Sequence, residues 1–374
     1  NMEAMKAVTS WVIPPPMALL AELTYRCPLR CGYCSNPEDW GRFTRELDTE
    51  TWQRVMIEAG RIGVYHAHLS GGEPLLRDDL ERIVAMARYE DLYVNLITSG
   101  WGATETRVEK LARAGVDHVQ VSFQDTDPSS ADRIAGTTAH AHKLNVARWV
   151  RAADMELSVN VVLHRGNIAR VGEQIALAES LGAQRIELAS AQYHGSALVN
   201  RRALLPSRAE VDRARETALR ERERLKGRMD VIYVIPDYYE DLPRPCTDGW
   251  GRRFMTVIPD GTALPCAGAH ALPGMVFDKV TERSLADIWN HGADFARFRG
   301  TDWMPEPCAS CERRTVDHGG CRCQALALTG DIRATDPACA KSPHHALVRR
   351  AREESEGEAR PLLYRLDTSR RRRE

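Results

Sequence analysis

The sequence has no uninterrupted apolar run of the roughly 18–20 residues that a membrane-spanning helix requires, so no such helix is expected. Nor does it favour one sign of charge. Lys and Arg number 51 against 52 Asp and Glu, a formal net charge of −1, which gives no electrostatic argument for a nucleic acid or an anionic membrane as partner. The N-terminal stretch through Val12-Ile-Pro14-Pro15-Pro16 lacks the continuous apolar core of a secretory signal. The expectation is a cytoplasmic protein. An apolar fraction of 43% is ordinary for a soluble chain, and 374 residues suffice for one large domain or two with a buried core.

A further absence concerns cysteine. Cys27, Cys31 and Cys34 stand at C-x3-C-x2-C spacing, and no fourth cysteine lies close by to complete the set. Ten cysteines in a reducing compartment point to metal or redox chemistry rather than a disulfide framework. Cysteine thiolates are the usual protein ligands of iron–sulfur clusters. A loop this tight can aim three thiolates at three corners of a cubane and leave the fourth iron open to a small molecule. The plainer alternative is a zinc knuckle or three unrelated buried thiols, but a structural zinc site closes four ligands.

Along the chain, strand and helix patterns alternate. Strand Met17–Leu23 precedes the cysteine loop. A helix begins near Asp48, with Trp52, Val55, Met56, Ala59 and Ile62 on one face and Asp48 as N-cap. Strand His66–Ser70 runs into Gly71-Gly72-Glu73-Pro74, and a helix opens at Asp78. Strands Tyr93–Thr98, His118–Phe123, Leu157–Leu163 and Arg185–Ala189 follow. Helices are expected near Thr104–Ala114, His140–Ala152, Ile168–Leu181 and Ser207–Lys226. Six βα units imply a parallel sheet with right-handed crossovers. The fold class is α/β, an open, partial (β/α)6 version of the TIM-type barrel, with its chemistry at the C-terminal strand ends. The cysteine loop, Gly71–Pro74, Ser99 and Gln124-Asp125 all fall just past strand ends.

Beyond a boundary placed at about 228–240 the character changes. Val231–Ile235 and Phe254–Pro259 are strand-like, and Asp260-Gly261 is a hairpin-type turn. The expected units are residues 1–228, 229–348 and a charged helix and tail over 349–374. The ending Arg370-Arg-Arg-Arg373-Glu374 reads as a frayed tail in preference to a basic contact segment.

Two further groups carry chemistry. The glycines Gly71 and Gly72 permit close approach of backbone to a ligand, and positive φ where needed. Glu73 offers an acceptor for an ammonium, although Gly-Gly-Glu-Pro alone is no more than a turn. Downstream, Cys246-x14-Gly261-x4-Cys266 is followed by Cys308, Cys311, Cys321, Cys323 and Cys339. Two closed clusters need eight protein ligands, and these cysteines number seven. Either a non-cysteine residue supplies the eighth or one cluster stays open. A pair of zinc sites is the alternative.

The C-x3-C-x2-C loop, with Tyr33 directly before its last cysteine, resembles that of the radical S-adenosylmethionine (SAM) enzymes. The resemblance implies a SAM-binding [4Fe-4S] cluster on Cys27, Cys31 and Cys34, whose open iron chelates SAM and cleaves it to a 5′-deoxyadenosyl radical. It implies that Gly71, Gly72, Glu73 and Pro74 hold the methionine amino group. Ser99, Ser122, Asn160 and Gln192 are then strand-end contacts to SAM. The downstream cysteines resemble the SPASM domain, whose pattern places Asp317 where a cysteine is due. That register implies one auxiliary iron–sulfur cluster on Cys246, Cys266, Cys321 and Cys323. It implies a second on Cys308, Cys311, Asp317 and Cys339, with His318 as the competing eighth ligand. Each auxiliary cluster is [4Fe-4S] or [2Fe-2S].

Over nearly the whole chain, including Leu96-Ile-Thr-Ser-Gly100, Arg244–Phe254 and Phe298–Cys308, the sequence is similar to the radical SAM peptide cyclases of pyrroloquinoline quinone biosynthesis. These cross-link a glutamate to a tyrosine of the precursor peptide PqqA. The resemblance implies PqqA as substrate, the peptide chaperone PqqD as partner and a flavodoxin-like electron donor. Another SPASM-type maturase, for sulfatases or thioethers, is the nearest alternative. The stretch Gln192-Tyr193-His194-Gly195-Ser196 departs from the bulkier aromatics expected there.

Overall fold

A computed structural model describes residues 13–37, 43, 45–358 and 360–364. The extreme N-terminus and the Arg370–Glu374 tail lie outside them. Nine strands form one sheet in the order β7-β6-β5-β4-β3-β2-β1-β8-β9. They are β1 Ala18–Glu22, β2 His66–Ser70, β3 Tyr93–Thr98, β4 His118–Phe123, β5 Glu156–Leu163, β6 Arg185–Ser190, β7 Asp230–Tyr233, β8 Phe254–Val257 and β9 Ala263–Leu264. Strands β1 to β7 are parallel neighbours in chain order, β8 lies parallel to β1, and only β9 runs antiparallel. The sheet does not close: β7 and β9 are its edges, as a partial barrel requires.

The helices between the strands cover the sheet because their apolar residues recur at helical spacing. They are α1 Thr49–Ile62, α2 Leu80–Tyr89, α3 Glu105–Ala114, α4 Pro128–Ala135, α5 His140–Ala152, α6 Val171–Ser180, α7 Gly195–Val199, α8 Arg201–Leu204 and α9 Arg208–Arg224. Helix α1 buries Trp52, Val55, Met56, Ala59 and Ile62, and full burial of each large side chain is worth about 1.5–3 kcal/mol. Asp48 caps it by accepting from the Thr51 N–H at 2.8 Å. Ser207 and Glu210 form a reciprocal capping box on α9. Helix α2 starts at Leu80, two residues after the expected Asp78, because Asp78 and Asp79 complete the turn that follows Pro74–Leu76.

The chain crosses residues 228–240 without leaving the sheet. Strand β7 pairs with β6, and the β8–β9 hairpin, turning at Asp260-Gly261, adds to the far side of β1. Helices α10 Leu285–His291, α11 Ala293–Ala296, α12 Arg322–Thr329 and α13 His345–Ser355 complete the second half. Its own apolar cluster gathers Trp250, Phe298, Leu264 and Cys323 with Tyr25 from the first half. Helix α13 buries Val348 and Ala351, so it is docked on one face. No helix among the described residues is long and apolar enough to cross a membrane.

Candidate functional site

At the C-terminal end of β1 the chain turns through Thr24–Arg26 into the cysteine loop. That backbone lies flat against Gly71 and Gly72 at the end of β2. The Gly72 N–H donates to the Thr24 carbonyl at 2.6 Å, and the Glu73 N–H to the Arg26 carbonyl at 2.8 Å. A Cβ on Gly71, whose φ is +131°, would stand 2.2 Å from the Thr24 oxygen, and one on Gly72 2.4 Å from the Arg26 oxygen. Glycines at these positions are expected from the sequence to admit a ligand. The backbone they admit is the chain's own, and it fixes where the loop departs.

Glu73 sits behind this turn, fully buried, and does not line the cavity beside it. Its Oε1 accepts from the Leu75 N–H at 3.0 Å and the Thr98 hydroxyl at 2.6 Å. Its Oε2 accepts from the Ser99 N–H at 2.9 Å and the Ser99 hydroxyl at 2.5 Å. Burial raises its pKa in spite of these four donors. Glu73 therefore ties the end of β3 to the β2 turn, and leaves its neighbours' backbone facing the cavity. Pro74 starts the short Pro74–Leu76 turn that Glu73 caps.

The cavity has a volume of about 360 Å³. Cys27, Cys31, Cys34, Tyr33, Gly71, Gly72, Ser99, Ser122, Asn160 and Gln192 all line it. Burial pushes the Cys31 thiol up to about 11, and pushes Cys27 further, with Glu73 adding to the effect at Cys27. Each of the two is raised further by the charge of the neighbouring thiols. Thiols raised in this way, as Cys27 and Cys31 are, become thiolates opposite a cation, and an iron–sulfur cluster would supply that countercharge.

One group here was missed in the sequence. Lys143 on α5 is buried, and its ammonium donates to the Ser122 carbonyl at 2.9 Å and to Gln124 Oε1 at 2.6 Å. The amide of Gln124 donates to the Tyr33 hydroxyl at 3.2 Å, and that hydroxyl is hydrogen-bonded to Cys31. Burial lowers the Lys143 pKa to about 8, against the pull of Cys31, Glu73 and Cys27. Its position within the buried stripe of a helix was the only signal. Asp125, next to Gln124, is taken up by an ion pair with Arg170.

The later cysteines fall into two sets. Cys246 is hydrogen-bonded to Cys266 and Cys321, Cys266 also to Cys323, and Cys323 to Cys321, a closed ring of four sulfurs. The Cys246–Cys266 contact shifts its two thiols in opposite directions: Cys246 is raised chiefly by Cys266, and Cys266 is lowered because Cys246 and Cys323 donate to it. All four line a second cavity of about 340 Å³. A small pocket gathers Cys308, Cys311, Asp317 and Cys339. There Asp317 accepts from the Gly319 N–H at 3.1 Å, with the Arg313 guanidinium 3.6 Å away. His318, at φ +50°, is turned instead toward the Arg252 guanidinium. Among the described residues no three His, Cys, Asp or Glu side chains are disposed to hold a single metal ion. The ring of four sulfurs, and the pocket of three sulfurs and one carboxylate, are donor sets that suit a cluster.

The two larger cavities abut. Ser190, Ala191 and Gln192, at the end of β6, line both. The thiols of the early loop and the four-sulfur ring thus face opposite sides of one short segment.

Comparison with known proteins adds names to this geometry. Residues 21–171 match the radical SAM superfamily, and residues 246–312 match the SPASM iron–sulfur cluster-binding domain. A PqqA peptide cyclase of Granulibacter bethesdensis is 52% identical over 340 residues, 91% of either chain. One of Gluconobacter oxydans is 51% identical over 352 residues, 94% of this chain and 98% of that one. Among solved structures, Streptococcus suis SuiB bound to S-adenosylmethionine superposes with a TM-score of 0.74 at 18% identity, covering 87% of this chain and 77% of that one. The AdoMet-bound anSMEcpe reaches 0.62 at 14% identity, covering 91% and 93%. At such identities the structural likeness concerns the fold alone.

Proposed function

The chain belongs to the radical SAM enzymes and, within them, to the PqqA peptide cyclases, and from that premise we propose that it joins a glutamate to a tyrosine side chain of PqqA by a carbon–carbon bond. The reaction begins pyrroloquinoline quinone biosynthesis. Cys27, Cys31 and Cys34 would hold an iron–sulfur cluster, which when bound would supply the electron for reductive cleavage of SAM and so the radical chemistry that the cross-link needs. The protein's own task is then positioning, because holding two side chains in contact removes most of the entropic cost of joining them.

Residues Cys246, Cys266, Cys321 and Cys323 would hold one auxiliary cluster, and Cys308, Cys311, Asp317 and Cys339 the other. Gly71 and Gly72 would present backbone to the methionine end of SAM. Tyr33, Ser99, Ser122, Asn160 and Gln192 would meet the rest of it. Glu73 and Pro74 would act from behind the wall by fixing that backbone. PqqD would present the peptide, a flavodoxin-type protein would donate electrons, and the reaction would run in the cytoplasm. The observation that best supports a peptide substrate in this particular place is the shared wall at Ser190–Gln192. Side chains of a peptide lying along this wall would face both cavities.

The test is anaerobic incubation of iron-loaded protein with SAM, dithionite, PqqA and PqqD, followed by peptide mass and fragmentation. The expected product has lost two hydrogens and carries a Glu–Tyr bridge. Unchanged PqqA, or a different modification, would contradict the assignment.

A further inference from the structure

Joining the two side chains leaves a tyrosine ring that must lose one proton and one electron to become aromatic again. The cavities offer few groups to take the proton. Asp237, between β7 and the second half of the chain, lines the cavity of the four-sulfur ring. Among the described residues lining either of the two abutting cavities it is the single carboxylate. Arg244 lies 3.5 Å from its Oδ1, and that guanidinium is also held by the Ile235 carbonyl and lies 3.9 Å from Glu240. Neutralising Asp237 therefore would not release Arg244. The charged groups that act on Asp237 are Arg244, Asp336 and Cys321. Burial is the largest influence and pushes its pKa up to about 6, a value suited to accepting a proton near neutral pH.

We propose that Asp237 is the general base that removes the ring proton during cross-linking. The proposal rests on the Glu–Tyr reading above. The glutamate carbon radical adds to the ring carbon beside the phenol oxygen, forming the carbon–carbon bond. The ring C–H bond then breaks, its proton passing to the Asp237 carboxylate and one electron to an iron–sulfur acceptor. Cys321, an electrostatic neighbour of Asp237, belongs to the four-sulfur ring, so proton and electron leave toward the same wall. His194, on the same cavity, is the rival base.

The experiment compares wild type, Asp237→Asn, Asp237→Glu and His194→Gln, each with its iron content checked. Cross-linked PqqA and 5′-deoxyadenosine are measured in the same reactions. Asp237→Asn should still release 5′-deoxyadenosine, while its ratio of cross-linked peptide to 5′-deoxyadenosine falls roughly 100-fold or more. Asp237→Glu should recover part of that loss, and ring-deuterated tyrosine should slow cross-linking more in Asp237→Asn than in wild type. Asp237→Ser serves if the asparagine variant folds poorly. An Asp237→Asn enzyme with the wild-type ratio would overturn the proposal, whatever His194→Gln does. A wild type that releases 5′-deoxyadenosine without cross-linking PqqA would instead overturn the reading beneath it.

Discussion

The side-chain amide of Asn200 bridges to the cysteine loop by donating to the carbonyl of Gly32 at 2.9 Å. The same amide also donates to the Leu363 carbonyl at 2.7 Å and accepts from the Leu363 N–H at 2.7 Å. Leu362 packs so closely that a Cβ on Gly32 would stand 2.6 Å from it. A strap from the C-terminal segment thus lies across the loop that carries Cys31 and Tyr33.

Replacing Asn200 by Ala leaves the buried Gly32 carbonyl without this donor and frees the strap. A buried polar group left unpaired costs about 1–3 kcal/mol. The melting temperature should fall, and the iron–sulfur absorbance should bleach faster in air than in wild type. Unchanged bleaching would mean that the strap does not shield the loop.

Glu22 gives a pH signature. It is buried at the end of β1, its Oε2 accepting from the Tyr25 hydroxyl at 2.6 Å, and burial raises its pKa from 4.5 to about 7. A carboxyl held neutral in the folded state stabilises that state fully below pH 4.5, and the contribution is lost as pH rises through about 7. The span corresponds to roughly 3 kcal/mol. Asp237 and Asp336, each raised to about 6, act with the same sign. Denaturation midpoints of Glu22→Gln between pH 5 and 8 should therefore fall less steeply than those of wild type. Parallel slopes would contradict the burial argument.

Asp317 and His318 make opposite predictions. Asp317 shares its pocket with Cys308, Cys311 and Cys339, whereas His318 faces Arg252. Asp317→Ala should lose iron and sulfide equivalent to about one cluster, Asp317→Cys should retain them, and His318→Gln should resemble wild type. Iron loss confined to His318→Gln would reverse the assignment.

Much of this was legible in the sequence because ligand spacing and strand patterning are local signals. The strand-end residues Ser99, Ser122, Asn160 and Gln192 line one cavity, since a parallel sheet brings every strand's C-terminal end to the same side. Glu73 was harder. Its residue type suggested an acceptor for a ligand, but its four donors come from Leu75, Thr98 and Ser99, and Thr98 and Ser99 are tied to it only by the pairing of β2 with β3. Lys143 resembled any basic residue on an amphipathic helix until α5 packed beneath β4. Asp237 and Asn200 carry no local pattern at all. Their roles come from contacts made across long stretches of chain, and periodicity does not record those.

The claim on which the whole account depends is that Cys27, Cys31 and Cys34 hold the cluster that cleaves SAM. It is tested most directly by 5′-deoxyadenosine release from reduced wild type and from the Cys27/Cys31/Cys34→Ala variant, with iron and sulfide counted in both. The account predicts release from wild type alone, with the variant losing one cluster's iron and keeping the rest. Release by the variant, or none from fully loaded wild type, would contradict it.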